Sequence, residues 1–162
     1  MLAAAQFLAK QSYVDANRIY LGGHSTGGTL VLLVAESSER FRAVFSFGPA
    51  ADVRGYPAEF VPFDTSNSRE SELRSPIYWL ASIKSPVFVI EGTGGNHDSL
   101  QEMARASANP QAHFLAVKGA DHFEVLAPVC ALLADKILRD SNPASGISLT
   151  DQELNEAFAR SR

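Results

Sequence analysis

The chain has 162 residues, of which 46% are hydrophobic and 20% are charged, and its formal net charge is −4 at pH 7. This composition is typical of one globular domain and excludes a disordered tail or a collagen-like repeat. The single cysteine, Cys130, excludes an internal disulfide. The sequence has no basic stripe, no leader pattern and no apolar run of ~20 residues. We therefore expect a cytoplasmic protein that binds neither nucleic acid nor membrane.

Helices and strands are predicted to alternate along the chain. In chain order, the pattern predicts helix 2–11, strand 18–21, helix 27–38, strand 43–47, an irregular stretch over 52–76, helix 75–83, strand 86–91, helix 98–107, strand 113–117 and helix 123–138. Continuous apolar strands that alternate with helices favour right-handed crossovers and a parallel sheet covered on both faces. We therefore expect an α/β fold, a three-layer sandwich with a mostly parallel sheet.

The C-terminal end is predicted to be a separate part of the chain. Residues 141–148 have the composition of a linker, and Thr150 with Glu153 forms a capping-box pattern that opens a last amphipathic helix. A similar pattern, Asp98 with Gln101, is expected to open the helix at 98–107. The chain therefore divides into a domain over 1–140 and a linker plus helix over 141–162.

The pattern Gly23-x-Ser25-x-Gly27 lies between a predicted strand and a predicted helix. A serine on a sharp strand-to-helix turn projects its hydroxyl above the sheet edge, where it can act as a nucleophile. Both glycines are expected to remove side chains that would collide where the strand and the helix approach each other. The helix N-terminus favours a developing oxyanion, and Thr26 would supply a backbone donor to it.

A serine nucleophile needs a base, and His122 is the best placed of the four histidines. It follows the fourth predicted strand and precedes a long helix, in a loop from which a base can reach Ser25. His24 adjoins the serine and is expected to point away from it. His113 lies on a predicted strand, and His97 lies in a glycine-rich loop.

The carboxylate that orients the base is expected after the third predicted strand. Asp98 is the nearest carboxylate downstream of that strand, although it also fits as the N-cap of the next helix. Asp52, after the second strand, is the competing acid, and Glu91 is a third and weaker option. We therefore expect a triad of Ser25, His122 and Asp98, with Asp52 as the alternative acid.

Several segments resemble the prolyl oligopeptidase-like branch of the α/β-hydrolase superfamily: 13–28, 74–78, 83–90 and 119–122. The resemblance covers about residues 2–139 and implies a partial α/β-hydrolase fold that lacks the N-terminal strands. It also implies that Ser25 is the nucleophile, His122 the base and Asp98 the acid. In that branch a carboxylate usually comes about three residues after the first glycine of the loop at 92–95, and Gly95 occupies that position here.

The sequence therefore predicts a serine hydrolase that cleaves an ester or peptide bond of a small substrate through an acyl-enzyme, without a metal or another cofactor. Four aromatic residues near the irregular stretch would suit an apolar acyl group: Phe60, Phe63, Tyr78 and Trp79.

The alternative is a catalytically weak or inactive module for binding or assembly, and acyl transfer is a third hypothesis. The alternative is kept because no His-Gly-Gly-type segment before Ser25 supplies a second oxyanion donor. An exposed edge of the first strand is expected to favour association between copies of the chain.

Overall fold

A sheet of four parallel strands forms the centre of the computed structural model, which describes residues 1–162 except the side chain of Ala58. The strands lie side by side in the order β1 (Leu21–His24), β2 (Val44–Phe47), β3 (Val87–Gly92) and β4 (Ala112–Val117). Each neighbouring pair is parallel, which confirms the predicted parallel sheet. The carboxyl ends of parallel strands meet at one edge of the sheet, so the loops that follow them can share a site.

Among the described residues, six α-helices surround this sheet: α1 (Leu2–Leu8), α2 (Thr26–Ser37), α3 (Ser68–Arg74), α4 (His97–Ala106), α5 (Leu126–Arg139) and α6 (Asp151–Arg160). Helices α2 and α4 share a buried core with Val44 and Val89 on one face of the sheet. Helices α5 and α6 share a second core with Phe45 and Phe88 on the other face. The predicted three-layer sandwich is confirmed. No helix in the described part of the chain has the length and apolar character needed to span a membrane.

Strand β1 lies further along the chain than predicted. The expected strand over 18–21 ended at the two glycines, whereas the observed strand continues through them to His24. Gly22 pairs with Phe45 and Gly23 with Ser46, so the neighbouring strand holds residues that have low intrinsic strand propensity. The glycines are part of the strand because tertiary pairing overrides local preference.

The stretch over 52–76, predicted to be irregular, contains the helix α3. Its N-cap is Asn67, whose side-chain oxygen accepts hydrogen bonds from the N–H groups of Arg69 at 3.1 Å and Glu70 at 3.3 Å. An ion pair between Glu70 and Arg74, at 2.8 Å and one helical turn apart, adds support. The capping asparagine was the sequence signal for this helix.

The helix predicted over 75–83 is instead a pair of short 3₁₀ turns, Pro76–Tyr78 and Leu80–Ser82. Trp79 separates them, with φ −121° and ψ 1°, values outside the α-helical region. One residue with non-helical dihedral angles is sufficient to prevent a continuous helix.

The C-terminal helix α6 covers the outer edge of β4. The side chain of Asp151 accepts the N–H of Ala116 at 2.9 Å, and that of Asn155 accepts the N–H of Lys118 at 2.7 Å. These bonds satisfy backbone donors that an edge strand would leave to solvent. The apolar residues predicted for one face of this helix are buried: Leu154, Ala157 and Phe158.

The two predicted capping boxes differ in outcome. The box formed by Thr150 and Glu153 is present, with both reciprocal hydrogen bonds. The box predicted for Asp98 is wrong, because α4 begins one residue earlier, at His97, and has no side-chain capping bond. The side chain of Gln101 contacts the His97 ring at 3.2 Å instead.

Candidate active site

Ser25 lies on a sharp turn between β1 and α2. Its backbone has φ 59° and ψ −121°, and it is the one non-glycine residue with positive φ in the described part of the chain. Such a conformation costs roughly 1–3 kcal/mol and persists only where surrounding structure holds it. The Ser25 N–H donates to the carbonyl of Phe47 at 2.8 Å, but the side chain makes no capping bond to α2. The Ser25 hydroxyl is therefore held at the carboxyl edge of the sheet, and it does not cap α2.

The glycines of the motif differ in how crowded they are. A Cβ on Gly23 would lie 2.3 Å from the carbonyl oxygen of Gly27, and one on Gly28 would lie 2.4 Å from that of Phe47. A Cβ on Gly27 would meet nothing within 4 Å. The prediction that Gly27 relieves a collision is therefore wrong, and the second position that requires a small residue is Gly28.

His122 lies in the turn between β4 and α5, as predicted. The Asp121 carboxylate accepts the N–H groups of Phe123 and Glu124, each at 2.7 Å, and these hydrogen bonds lower the pKa of Asp121. The His24 ring lies 4.4 Å from the His122 ring, and its Nε2 is 3.0 Å from the His122 carbonyl oxygen. These contacts fix the backbone of the turn, so the His122 ring has a defined position.

Gly48 lies against the His122 ring and directly follows the residue that binds the backbone of Ser25. The His122 ring lies directly against this glycine, since a Cβ there would be 2.4 Å from Cε1 and 2.6 Å from Nδ1. The preceding residue, Phe47, is the one that accepts the Ser25 N–H. The hydrogen bonds of the described residues include none between Ser25 and His122. In sites without substrate this bond is often long, and it shortens when substrate binds.

The carboxylate in contact with His122 is Glu91, the penultimate residue of β3. Its Oε2 lies 2.8 Å from Nδ1 of the imidazole. The same carboxylate accepts the N–H of Gly92 at 2.7 Å and that of Asn96 at 3.0 Å. The Glu91 side chain is completely buried. Its cost of burial is offset by these hydrogen bonds.

The structure does not bring the two predicted acids to His122. Asp98 is exposed in the first turn of α4. Asp52 forms an ion pair with Arg54 and accepts the hydroxyl of Ser75 at 3.2 Å. The hydrogen bond from Arg54 holds the pKa of Asp52 below its ordinary value. Both aspartates therefore have other surroundings, and the sequence-based assignment has no contact in its support.

Thr26 is the first residue of α2, so its N–H has no acceptor within the helix. Beside it lies an apolar cavity of about 200 Å³. The walls come from α2 and from the segment that follows Val53, and they include Leu30, Leu33, Val53, Tyr56, Phe60 and Phe63. The guanidinium of Arg74 stacks 4.7 Å from the centroid of the Phe63 ring and supports that wall. The site therefore combines a backbone donor with space for an apolar group.

Two of the four aromatic residues predicted for an apolar group line this cavity, Phe60 and Phe63. Tyr78 instead accepts a hydrogen bond from Arg54 at 2.7 Å, and Trp79 lines a separate cleft with Glu36. Among the residues that the structure describes, no three histidine, cysteine or carboxylate side chains are grouped closely enough to hold a metal ion.

The family model of the prolyl oligopeptidase family matches residues 1–123, a range that contains both Ser25 and His122. The chain belongs to the prolyl oligopeptidase family. The resemblance inferred from the motifs is thereby confirmed. A search of curated proteins finds no match.

Solved structures show the same fold at low sequence identity. A puromycin-hydrolyzing peptidase from Mycobacterium tuberculosis is 23% identical with a TM-score of 0.64, over 75% of this chain and 21% of that one. A dipeptidyl peptidase 4 from Porphyromonas gingivalis is 20% identical with a TM-score of 0.68, over 85% and 21%. An acylaminoacyl peptidase from Pyrococcus horikoshii is 12% identical with a TM-score of 0.70, over 93% and 28%. The chain spans less than a third of each of these proteins.

The sequence-based prediction of this site missed Gly48 and ranked Glu91 below Asp98 and Asp52. The sequence indicated only that Gly48 ends a strand. In the structure the His122 ring lies against it, at a distance that leaves no room for a side chain. Glu91 was the third option for the acid. Its signal was a single carboxylate at the carboxyl end of an otherwise apolar strand, where burial requires partners.

Proposed function

We propose that this chain is the nucleophile-and-base part of a serine hydrolase that cleaves an ester or peptide bond. Ser25 is the nucleophile, and His122 is the general base. The observation that carries the proposal is the strained turn at Ser25, whose hydroxyl has no capping role, beside the glycine on which the His122 ring lies. The fold of the prolyl oligopeptidase family is consistent with this chemistry.

In the proposed reaction, Oγ of Ser25 attacks the substrate carbonyl carbon while Nε2 of His122 takes its proton. The carbonyl oxygen becomes an oxyanion that accepts the N–H of Thr26 at the N-terminus of α2. When the tetrahedral intermediate collapses, the bond to the leaving group breaks and His122 returns the proton to it. Water then cleaves the acyl-enzyme by the same steps and restores the serine.

The cavity beside Thr26 supports a substrate with an apolar group next to the reacting carbonyl. Its walls present two phenylalanines and aliphatic side chains, and its volume of about 200 Å³ accommodates one such group. Burial of an apolar side chain of that size contributes about 1.5–3 kcal/mol to binding. The substrate class that we propose is therefore an ester or peptide with an apolar acyl side chain.

A fluorophosphonate probe tests the proposal, because it reacts with an activated serine without needing turnover. Loss of one oxyanion donor lowers turnover by roughly 10²–10³, so covalent labelling is the more sensitive measurement. We expect labelling of the folded chain at Ser25, located by peptide mass spectrometry, and none in Ser25→Ala. Ser37→Ala removes an exposed serine of α2 and is the matched control that retains labelling.

The alternative, an inactive module for binding or assembly, predicts no labelling of a chain that is folded by circular dichroism. Equal labelling of the wild type and Ser25→Ala would also contradict the proposal. A third arm, His122→Ala, is expected to lower the labelling rate at least 100-fold, because the base would be absent.

A further inference from the structure

Resting on the proposed function, we infer that Glu91 is the positioning carboxylate for His122 and that it replaces a side chain at position 95. The predicted acids Asp98 and Asp52 are not required for this task. The inference depends on three features: the hydrogen bonds of the Glu91 carboxylate, the space at Gly95, and the surroundings of the two aspartates.

The Glu91 carboxylate has partners on both oxygens. Oε1 accepts the Gly92 N–H, whereas Oε2 accepts the Asn96 N–H and lies 2.8 Å from Nδ1 of His122. Backbone N–H groups already donate to both oxygens, and Nδ1 approaches Oε2 at hydrogen-bond distance, so we infer that Nδ1 carries the proton and donates to this carboxylate. Nε2 is then the unprotonated nitrogen and can take the proton of Ser25.

Gly95 stands at the position where the branch that the sequence resembles usually has a carboxylate. A Cβ there would lie 2.6 Å from Oε1, 2.8 Å from Cδ and 3.0 Å from Oε2 of Glu91. A side chain at position 95 and the Glu91 side chain would therefore occupy the same space. The carboxylate has the same location beside His122 but comes from the strand instead of the loop. The glycine is needed for this close approach.

The loop itself is tied to the rest of the site. The Asn96 amide donates to the carbonyl of Gly48 at 3.0 Å, and the Gly94 N–H donates to the carbonyl of Ala120 at 2.9 Å. These bonds join the loop after β3 to the ends of β2 and β4. Glu91, Gly48 and His122 are thus held as one unit, which a positioning role requires.

The first test compares three single variants with the wild type: Glu91→Gln, Asp98→Asn and Asp52→Asn. In Glu91→Gln, the amide NH₂ faces either a backbone N–H or the imidazole, so the ring tautomer is no longer fixed. We expect the rate of Ser25 labelling to fall roughly 10²–10⁴-fold in this variant. The two aspartate variants are expected to stay within about twofold of the wild type, since Asp98 is exposed on α4 and Asp52 bonds to Arg54 and Ser75, away from the Glu91–His122 contact. A wild-type rate for Glu91→Gln, or an equal loss for Asp98→Asn, would overturn the inference.

The second test moves the carboxylate. Glu91→Ala vacates the space, and the double variant Glu91→Ala/Gly95→Asp refills it from the loop. The double variant is expected to label at least 10-fold faster than Glu91→Ala alone. The single variant Gly95→Asp, in which two carboxylates compete for one space, is expected to label more slowly than the wild type. A merely structural role for Glu91 predicts no recovery, so a double variant that is no faster than Glu91→Ala contradicts the inference.

A third measurement needs no activity and separates this inference from the proposed function. Nitrogen-15 NMR of the His122 ring reports which nitrogen carries the proton. We expect protonated Nδ1 in the wild type and in Asp98→Asn, and a changed tautomer in Glu91→Gln. If the wild type is not labelled but the tautomer changes, the hydrolase proposal fails and the role of Glu91 stands. If the tautomer is the same in all three proteins, the role of Glu91 fails.

Discussion

Glu91 and Glu36 are two buried glutamates whose surroundings differ. At the end of β3, the backbone N–H groups of Gly92 and Asn96 donate to the Glu91 carboxylate, and Nδ1 of His122 lies 2.8 Å from it. In the last turn of α2, Glu36 is 8% exposed, and neither of its carboxyl oxygens has a hydrogen-bond partner among the described residues. Burial raises the pKa of Glu36 to about 9, so its carboxyl group is neutral at pH 7. Donors, and not burial alone, decide whether a buried carboxyl group can carry a charge.

The position of each glutamate in its element explains this difference. After β3 the chain turns back, and the backbone N–H groups of the loop point at the carboxylate. The C-terminal end of a helix instead presents carbonyl oxygens and the negative end of the helix dipole. One of those carbonyls, that of Glu36 itself, accepts the hydroxyl of Ser82 at 2.6 Å. The end of α2 therefore offers no donors to a carboxylate.

The largest expected effect on stability is that of Glu91→Leu, which replaces the carboxylate with an apolar group of similar size. The N–H groups of Gly92 and Asn96 lose their acceptor, and each orphaned buried donor costs about 1–3 kcal/mol. We expect the free energy of unfolding to fall by about 2–6 kcal/mol, measured by urea denaturation. An unchanged midpoint and slope would mean that those donors have another acceptor, and the contrast with Glu36 would be lost.

The same substitution at Glu36 is expected to have the opposite sign. Glu36→Leu removes a buried polar group that has no partner, so the chain should gain about 1–3 kcal/mol in its free energy of unfolding at pH 8. Glu36→Gln is the matched control, because it removes the titration but keeps an unsatisfied polar group. Its gain is expected to be the smaller of the two. A loss of stability in Glu36→Leu would show that the carboxyl group has a partner in solution.

The pH dependence follows from the direction of the Glu36 pKa. Its ordinary value is 4.5, and in the folded chain the pKa is about 9, so between these values the folded state binds the extra proton. A rise in pH then favours unfolding. The stability associated with neutral Glu36 is complete below about pH 4.5 and is lost progressively as the pH approaches 9. In the wild type, this effect should lower the urea midpoint as the pH rises through this range. In Glu36→Leu, that part of the decrease should be absent.

Much of the fold could be predicted because it depends on local patterns. Continuous apolar runs identified all four strands of the sheet, although β1 was displaced by its glycines. The strand-to-helix context indicated Ser25, and the loop after the last strand indicated His122. In each case the signal lies within a few residues of the position that it predicts.

The carboxylate that contacts His122 could not be predicted in the same way, because this contact joins parts of the chain that are distant in sequence. Glu91 and His122 are 31 residues apart, and their contact requires the empty space at Gly95. Sequence alone offered three carboxylates near the carboxyl ends of strands and no means to choose the buried one. The same holds for Glu36, whose place in an apolar helix did not reveal whether donors surround it.

The smallest expected effect concerns two neighbouring glycines, which differ in their surroundings as the two glutamates do. Gly27 and Gly28 are adjacent in the first turn of α2, but only Gly28 lies against the backbone of β2. Gly27→Ala adds a methyl group in open space and improves helix propensity, so we expect a gain of about 0.5 kcal/mol in stability. Gly28→Ala is the matched control and should lose stability, because its Cβ would lie 2.4 Å from the carbonyl oxygen of Phe47. Equal effects in urea denaturation would show that α2 can shift away from the sheet, and the rigidity assigned to the turn at Ser25 would then be wrong.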